Sequence, residues 1–232
     1  MGEGGKTPIR EGGGGCGGEC GGDEEVSAAM WVDATGPAAP LAKELDVCNL
    51  ERKNQEVGIE WELEGVEVDH PEFADLTDEM MLRLDHEYAP GGYSWVFHTG
   101  GDAAKVGVCY IQSESYQQYG DTSKSIDGHL NHWLETDPRF ADAERITDKQ
   151  QHRGSAHIQM PDSLSTDSFM AIGDTVPTID PLWGGGSHKC MESARAAAVT
   201  ADRCLMGSET DPSPESMSLY DDLWHARVAP PT

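Results

Sequence analysis

A short apolar strand followed by two glycine-rich steps constrains the fold of this chain more than any other feature. Residues 169–172 read Phe-Met-Ala-Ile and lead directly into Gly173-Asp174. A second glycine-rich segment, 181–186, then precedes a predicted helix rich in alanine. Ligands of α/β sheets bind at the carboxyl ends of strands, and the first turn of a helix favours negative charge. The segment therefore predicts a ligand site, although either half by itself is more often a structural turn.

Strands dominate the middle of the chain, and strand-to-helix units lie at its two ends. The glutamates of 57–68 alternate in part with Ile59, Trp61 and Leu63, which is typical of a half-buried antiparallel strand. Strands are predicted over 29–32, 57–68, 80–84, 93–97, 104–111, 156–160 and 169–172, and helices over 37–47, 126–134, 187–206 and 214–225. This order predicts an α/β (α+β) fold, in which an antiparallel sheet lies beside a dinucleotide-type α/β layer.

The charge of the chain indicates the solution in which it folds. Lys and Arg number 16 and Asp and Glu 42, which gives a formal net charge of −26 spread over the whole sequence. Molar salt shortens the Debye length to about 3 Å and removes most of the self-repulsion. The composition thus favours a halophilic protein from an organism with a salt-filled cytoplasm. We expect no nucleic-acid partner, since no basic stripe is present to neutralise phosphates.

The sequence also predicts where the protein is located. No apolar run approaches the roughly 20 residues that a membrane-spanning helix needs. The start of the chain lacks the charged and apolar regions of a secretory signal. A cytoplasmic location is therefore expected. The Gly-rich head, residues 1–25, lacks apolar periodicity and is predicted to be disordered.

Three sequence blocks, in the right order, resemble the geranylgeranyl reductase family of FAD-dependent oxidoreductases. Val32-Asp33-Ala34-Thr35-Gly36 is similar to the middle flavin motif of that family. The segment 90–97, Pro-Gly-Gly-Tyr-Ser-Trp-Val-Phe, together with 105–108, is similar to its substrate-domain hairpin. Gly173-Asp174 with the Pro181-Leu182-Trp183-Gly184 turn resembles its second FAD motif. The resemblance covers about residues 30–228.

The resemblance implies an architecture like that of p-hydroxybenzoate hydroxylase, with an FAD-binding layer beside an antiparallel substrate domain. After the head, the expected parts are a remnant of the FAD-binding domain (26–56), the substrate domain (57–160) and a C-terminal FAD-binding segment with helices (161–232). The implied activity is reduction of double bonds in isoprenoid lipid or a similar apolar substrate, with FAD as the cofactor. A flavoprotein, a ferredoxin or a quinone is the implied electron partner, and the resemblance allows for peripheral contact with a membrane.

The resemblance also assigns site residues, one position at a time. Asp174 is expected to bind the ribityl chain, and Gly184–Gly186 are expected to face the isoalloxazine ring. Tyr93 and Trp95 are expected beside the substrate cavity. The cofactor-binding residues predicted in this way are Asp33, Thr35, Gly36, Gly173, Asp174, Pro181, Gly184, Gly185 and Gly186. No catalytic residue is identified, and no metal site is predicted.

Two departures from the family pattern affect the expected activity. Nothing matches the N-terminal G-x-G-x-x-G fingerprint that holds a pyrophosphate, so the chain reads as truncated. Gly185 and Ser187 stand where the family usually has an acidic and a large aliphatic residue. Two alternatives therefore stay open: a non-catalytic fragment of such a flavoprotein, and a relative of flavin monooxygenases or electron-transfer-flavoprotein dehydrogenases.

Overall fold

The computed structural model describes most of the chain after the Gly-rich head. The described residues are 27–48, 50–73, 75–77, 80–113, 124–146, 152–180, 182, 184–206 and 211–228. The head at 1–25 and Pro181 lie outside them. The chain divides into two compact units. The first contains the residues up to Asn49, Pro161–Val176 and Lys189–Pro231, and the second contains Leu50–Met160 and Pro177–His188.

The secondary-structure elements follow the sequence pattern closely. The strands are β1 (Trp31–Asp33), β2 (Gln55–Glu64), β3 (Met80–Arg83), β4 (Tyr93–Gly100), β5 (Ala103–Ile111), β6 (Glu144–Arg145), β7 (His152–His157), β8 (Ser165–Thr166) and β9 (Phe169–Ala171). The α-helices are α1 (Pro40–Glu44), α2 (Ile126–Thr136), α3 (Ser187–Leu205) and α4 (Pro214–Arg227). Among the described residues, none of the helices is long and apolar enough to cross a membrane.

A small sheet in the order β1-β9-β8 forms the centre of the first unit. β1 and β9 are parallel, with Asp33 opposite Ala171, and β8 pairs antiparallel with β9. Helix α4 packs on this sheet through the buried side chains of Met217, Tyr220 and Trp224. The Tyr220 hydroxyl donates a hydrogen bond of 2.7 Å to the carbonyl of Ala171, which ties the helix to the end of β9.

An antiparallel sheet forms the second unit, in the order β3-β4-β5-β2-β6, with β7 also paired to β2. One face of the sheet carries Ile59, Val96 and Val106, which are fully or almost fully buried. Leu130 and Trp133 of α2 join the same apolar cluster. Residues that alternate with these along each strand lie on the opposite face of the sheet. That opposite face, called the substrate-side face below, contains the predicted substrate residues Tyr93 and Trp95.

Three predicted elements differ most from the observed ones. The strand expected over 57–68 ends at Glu64, because Gly65 adopts a left-handed φ of 76° and the chain bends there. The strand expected over 156–160 lies at His152–His157, because this stretch pairs with Gln55–Glu60 in register. The helix expected over 37–47 is shorter, at Pro40–Glu44. Ala39 before it adopts a left-handed conformation (φ 43°), and the chain turns away again after Glu44.

Candidate functional site

Two of the predicted flavin segments meet where β1 and β9 end. Because these strands are parallel, their carboxyl ends lie at the same edge of the sheet. The backbone N–H of Ile172 donates to the carbonyl of Asp33 at 2.9 Å. The N–H of Gly36 donates to the hydroxyl of the buried Thr175 at 3.1 Å. The loop after β1 and the turn after β9 therefore form one hydrogen-bonded edge.

Both carboxylate oxygens of Asp33 accept hydrogen bonds that stabilise this edge of the sheet. Its side chain is fully buried. Oδ1 accepts hydrogen bonds from the N–H of Thr35 at 2.9 Å and from the Thr35 hydroxyl at 2.6 Å. Oδ2 accepts from the N–H of Ala42 at 3.0 Å, in the first turn of α1. Because Ala39 has no side-chain acceptor to cap that helix, Asp33 caps it from a distance. The backbone N–H groups of Thr35 and Gly36 are likewise bonded within the protein, so this loop is held by its own hydrogen bonds.

Asp174 presents its carboxylate at the surface beyond the end of β9. It lies in a single 3-10 turn, Gly173–Thr175, which follows the strand directly, and its side chain is exposed. Gly173 adopts a positive φ of 60°. The thiol of Cys190, in the first turn of α3, donates to Asp174 Oδ1 at 3.4 Å. A carboxylate so placed can accept hydrogen bonds from the hydroxyls of a polyol chain.

The glycine-rich turn before α3 is closed by its own hydrogen bonds. The N–H of Gly184 donates to the carbonyl of Asp180 at 2.7 Å, and the N–H of Asp180 donates to the carbonyl of Gly185 at 3.1 Å. The Asp180 carboxylate also accepts from the N–H of Leu182 at 2.9 Å. Gly184 has a φ of +65°, at which a residue with a side chain would be strained. A Cβ added to Gly185 would meet no atom within 4 Å, so a flat group has room to approach the backbone there.

Tyr93 lies directly against this turn, within the second unit. A Cβ built on Gly184 would lie 1.8 Å from the Tyr93 hydroxyl and 3.0 Å from Cζ of its ring. The phenol therefore occupies the space that any side chain at Gly184 would need. The structure thus joins a residue predicted for the substrate with a turn predicted for the cofactor, although they lie about 90 positions apart in the sequence.

An aromatic row continues from Tyr93 along the substrate-side face of β4. Ring centroids are 5.7 Å apart for Tyr93 and Trp95, and 6.3 Å apart for Trp95 and Phe97. The Trp95 indole crosses β5 above Gly107, where an added Cβ would lie 2.1 Å from the ring. It then donates from Nε1 to Glu60 Oε2 on β2 at 2.9 Å. Gly107 is therefore the residue that lets the indole lie flat across the sheet.

Trp95 also lines an open groove of about 260 Å³ on this face. The other residues of the groove come from two neighbouring strands and carry both polar and apolar groups. They are Gly58, Ile59 and Glu60 of β2, and His152, Arg153 and Gly154 of β7. The structure therefore places one predicted substrate residue in a groove and the other against the Gly184 turn.

Sequence reasoning missed Glu56 and Cys109, which lie on the same face beside Tyr93. Both are buried, at 5% and 3% exposure. Burial raises the pKa of the Glu56 carboxyl. Burial, followed by the charge of Glu56, raises the pKa of the Cys109 thiol, and burial is also the main cause of the raised pKa of Tyr93. The predicted strand began one residue after Glu56, and the glutamates of β2 read as a solvent-facing set, so the sequence carried no signal for this burial.

Comparison with known proteins finds similar sequences, although no family model matches the chain. The chain is 62% identical over 223 residues to the digeranylgeranylglycerophospholipid reductase of Haloferax volcanii, which covers 96% of this chain and 54% of that protein. It is 32% identical over 143 residues to the enzyme of the same name from Methanosphaerula palustris, covering 61% of this chain and 33% of that protein. The chain thus spans about half the length, or less, of these curated relatives.

Solved structures share the same fold. A geranylgeranyl bacteriochlorophyll reductase-like protein of Thermoplasma acidophilum superposes with a TM-score of 0.73 at 23% identity, covering 89% of this chain and 48% of the other. A flavin-dependent brominase gives a TM-score of 0.63 at 19% identity, covering 88% of this chain and 49% of the other. The fold is therefore the one shared by this class of reductases and flavin-dependent halogenases, which confirms the predicted fold class. In sequence the chain is similar to digeranylgeranylglycerophospholipid reductases, which confirms the resemblance carried by its three motifs.

Proposed function

We propose that the protein is an FAD-dependent oxidoreductase that reduces carbon–carbon double bonds of isoprenoid lipids. The observation that carries the proposal is the contact between Tyr93 and Gly184. It unites the aromatic face predicted for an apolar substrate with the turn predicted for the flavin ring. The identity of 62% to a digeranylgeranylglycerophospholipid reductase supports the same substrate class.

The residues present fit the cofactor at two places. In the second unit, the backbone of Gly184–Gly186 can accept a flat ring, since the space beside Gly185 is open. The first turn of α3 follows directly and carries no acidic residue, so its free N–H groups and dipole suit the negative edge of a reduced ring. In the first unit, Asp174 would accept hydrogen bonds from the ribityl hydroxyls. When bound, FAD supplies the hydride-transfer chemistry.

The substrate-side face suits an isoprenoid chain. Tyr93, Trp95 and Phe97 present a continuous row of rings, and such rings bury large apolar areas with little loss of conformational entropy. Glu60 takes up the only polar atom of the indole, Nε1, which leaves the rest of the ring for apolar contact. A flavoprotein, a ferredoxin or a quinone would supply the electrons, and peripheral contact with a membrane would give access to the lipid.

A single-turnover reaction tests this proposal. The protein is loaded with FAD, reduced with dithionite without oxygen and mixed with digeranylgeranyl lipid in molar KCl. We expect the flavin absorbance to return, and the lipid mass to rise by two hydrogens for each flavin reoxidised. A lipid of unchanged mass, with the flavin still reduced, would contradict the proposal.

Two glycines with nearly the same backbone conformation provide the matched control. Gly184→Ala places a Cβ against the Tyr93 hydroxyl at a φ of 65°, whereas Gly101→Ala, in the turn between β4 and β5, meets no atom within 4 Å at a φ of 62°. We expect Gly184→Ala to weaken flavin binding and slow lipid reduction far more than Gly101→Ala does. Equal effects would show that the contact between Tyr93 and the turn is unimportant for the site.

A further inference from the structure

A buried carboxyl group lies on the substrate-side face beside the thiol of Cys109. Glu56 stands near the start of β2, opposite Ile111 of β5 and Ala156 of β7. It is 95% buried, and its burial raises the pKa of the carboxyl more than a hydrogen bond with Cys109 lowers it. An isolated ionised carboxylate is costly to bury, so the neutral acid is the favoured form. A carboxylic acid has a proton to donate.

Cys109 and Tyr93 continue from this carboxyl toward the Gly184 turn. Cys109 lies directly opposite Tyr93 in the β4–β5 pairing, and one diagonal step from Glu56 in the β2–β5 pairing. Its thiol donates to the backbone carbonyl of Tyr93 at 3.5 Å, and it also interacts with the Tyr93 hydroxyl, where it adds to the effect of burial in raising the pKa of that phenol. Gly92 packs closely on the backbone of β5, since a Cβ there would lie 2.0 Å from the carbonyl of Cys109. The Tyr93 hydroxyl, at the other end, lies against Gly184.

Among the described residues, no basic side chain forms an ion pair with Glu56. Lys105 is paired with Glu60 at 3.6 Å, two positions further along the face of β2. Asp180, in the turn that holds Gly184, adds negative charge and contributes to the raised pKa of Tyr93. The surroundings therefore favour the protonated forms of Glu56, Cys109 and Tyr93. These three residues lie side by side on β2, β5 and β4.

We propose that Glu56, Cys109 and Tyr93 form a proton relay that ends at the Gly184 turn and delivers a proton to the reacting double bond. This inference rests on the proposed function. Reduction of a double bond adds one hydride and one proton to its two carbons, and the hydride comes from the reduced flavin. Sequence motifs pointed to Tyr93 only as a wall of the substrate cavity.

Each turnover moves one proton from each of the three groups to the next. The Tyr93 O–H bond breaks as the new C–H bond forms on the substrate. The Cys109 thiol then gives its proton to the phenolate, and the Glu56 carboxyl gives its proton to the thiolate. Water restores the proton of Glu56 before the next turnover, so each turnover consumes one solvent proton and one hydride. Tyr93 touches the substrate in this scheme, whereas Glu56 and Cys109 act through it.

Infrared spectroscopy tests the relay without any substrate. In D2O at neutral pH, the difference spectrum between the FAD-loaded protein and its Glu56→Gln variant should show the C=O stretch of a neutral carboxylic acid. The same difference for Glu64→Gln, an exposed residue at the far end of β2, should show an ionised carboxylate only. An ionised Glu56 at neutral pH would overturn the relay, whether or not the protein reduces lipid.

Single-turnover kinetics tests the transfer itself. We expect flavin reoxidation by digeranylgeranyl lipid to slow at least tenfold in Glu56→Gln and Cys109→Ala. The lipid concentration that gives half of the maximal rate should change little. Cys109→Ser, whose hydroxyl can still pass a proton, should retain most of the rate and the solvent isotope effect. Wild-type rates and isotope effects in Glu56→Gln would overturn the relay, whereas an unreactive wild-type protein would count against the proposed function and leave the infrared result to decide the relay.

Discussion

Replacement of Gly107 by alanine tests how the aromatic face is built. The added Cβ would lie 2.1 Å from Cζ2 and 2.4 Å from Cε2 of Trp95, and 2.6 Å from the backbone carbonyl of Ile59. Real Cβ atoms do not approach other atoms so closely, so the indole has to leave its position. It would then lose the 2.9 Å hydrogen bond to Glu60.

The cost follows from these two losses. Overpacking of a well-packed site costs about 1–3 kcal/mol. A hydrogen bond to a charged group contributes about 1.5–3 kcal/mol, and the lower end applies here because Glu60 is not fully buried. We therefore expect Gly107→Ala to lower the free energy of unfolding by about 3 kcal/mol. For a chain of this size, that corresponds to a fall in Tm of roughly 6–12 °C.

Urea unfolding in molar KCl, followed by tryptophan fluorescence, measures this effect. Gly154→Ala is the matched control, since it lies in a strand of the same sheet and its added Cβ meets nothing within 4 Å. The control should change stability by less than about 0.5 kcal/mol. Equal midpoints for the two variants would refute the argument that Gly107 makes room for the Trp95 indole.

Three further predictions concern charge. Because the net charge is −26, cooperative melting by circular dichroism should be present in molar KCl and lost or greatly weakened at low salt, and a salt-independent Tm would contradict the halophilic interpretation. Burial opposes ionisation of Asp137, but its hydrogen bonds and ion pair with Arg139 outweigh this and lower its pKa, so the stability it contributes should be lost as pH falls below about 4. Asp137→Asn should cost about 3–5 kcal/mol by urea unfolding, and a loss no greater than that of the exposed-site variant Asp142→Asn would show that the pair is unimportant. Because the folded pKa of Glu56 is raised, the stability that it contributes below its unfolded pKa of about 4.3 is lost as pH rises. Glu56→Gln should therefore exceed the wild type by about 1–3 kcal/mol at pH 8 and match it at pH 4, and a less stable variant at pH 8 would contradict the burial argument.

The polar turn at the end of β9 could be predicted from the sequence, because the residues that indicate it are adjacent in the chain. An apolar strand followed by Gly173-Asp174 needs few long-range contacts to be recognised, and the structure shows it at the end of β9. The β4–β5 hairpin was equally clear, since Gly100 and Gly101 separate two apolar runs. The loop after β1 lies beside the end of β9 because the two strands are parallel and end at the same edge of the sheet.

Contacts between residues far apart in the sequence could not be predicted in the same way. The contact of Tyr93 with Gly184 depends on how a turn far along the chain packs, which strand periodicity does not encode. The burial of Glu56 is hidden for a similar reason, since a glutamate in an alternating strand normally faces water. For Asp33 the sequence motif was recognised, but the motif did not reveal what the side chain binds. Both of its oxygens accept hydrogen bonds from protein groups instead of remaining free for a ligand.

The structure of the whole protein with bound FAD and an isoprenoid lipid tests the account most directly. We predict that the isoalloxazine ring lies against the backbone of Gly184–Gly186, that Asp174 accepts hydrogen bonds from the ribityl hydroxyls, and that the Tyr93 hydroxyl points at a double bond of the lipid. A flavin ring bound away from the Gly184 turn, or a lipid chain that does not touch Tyr93 and Trp95, would contradict the proposed site.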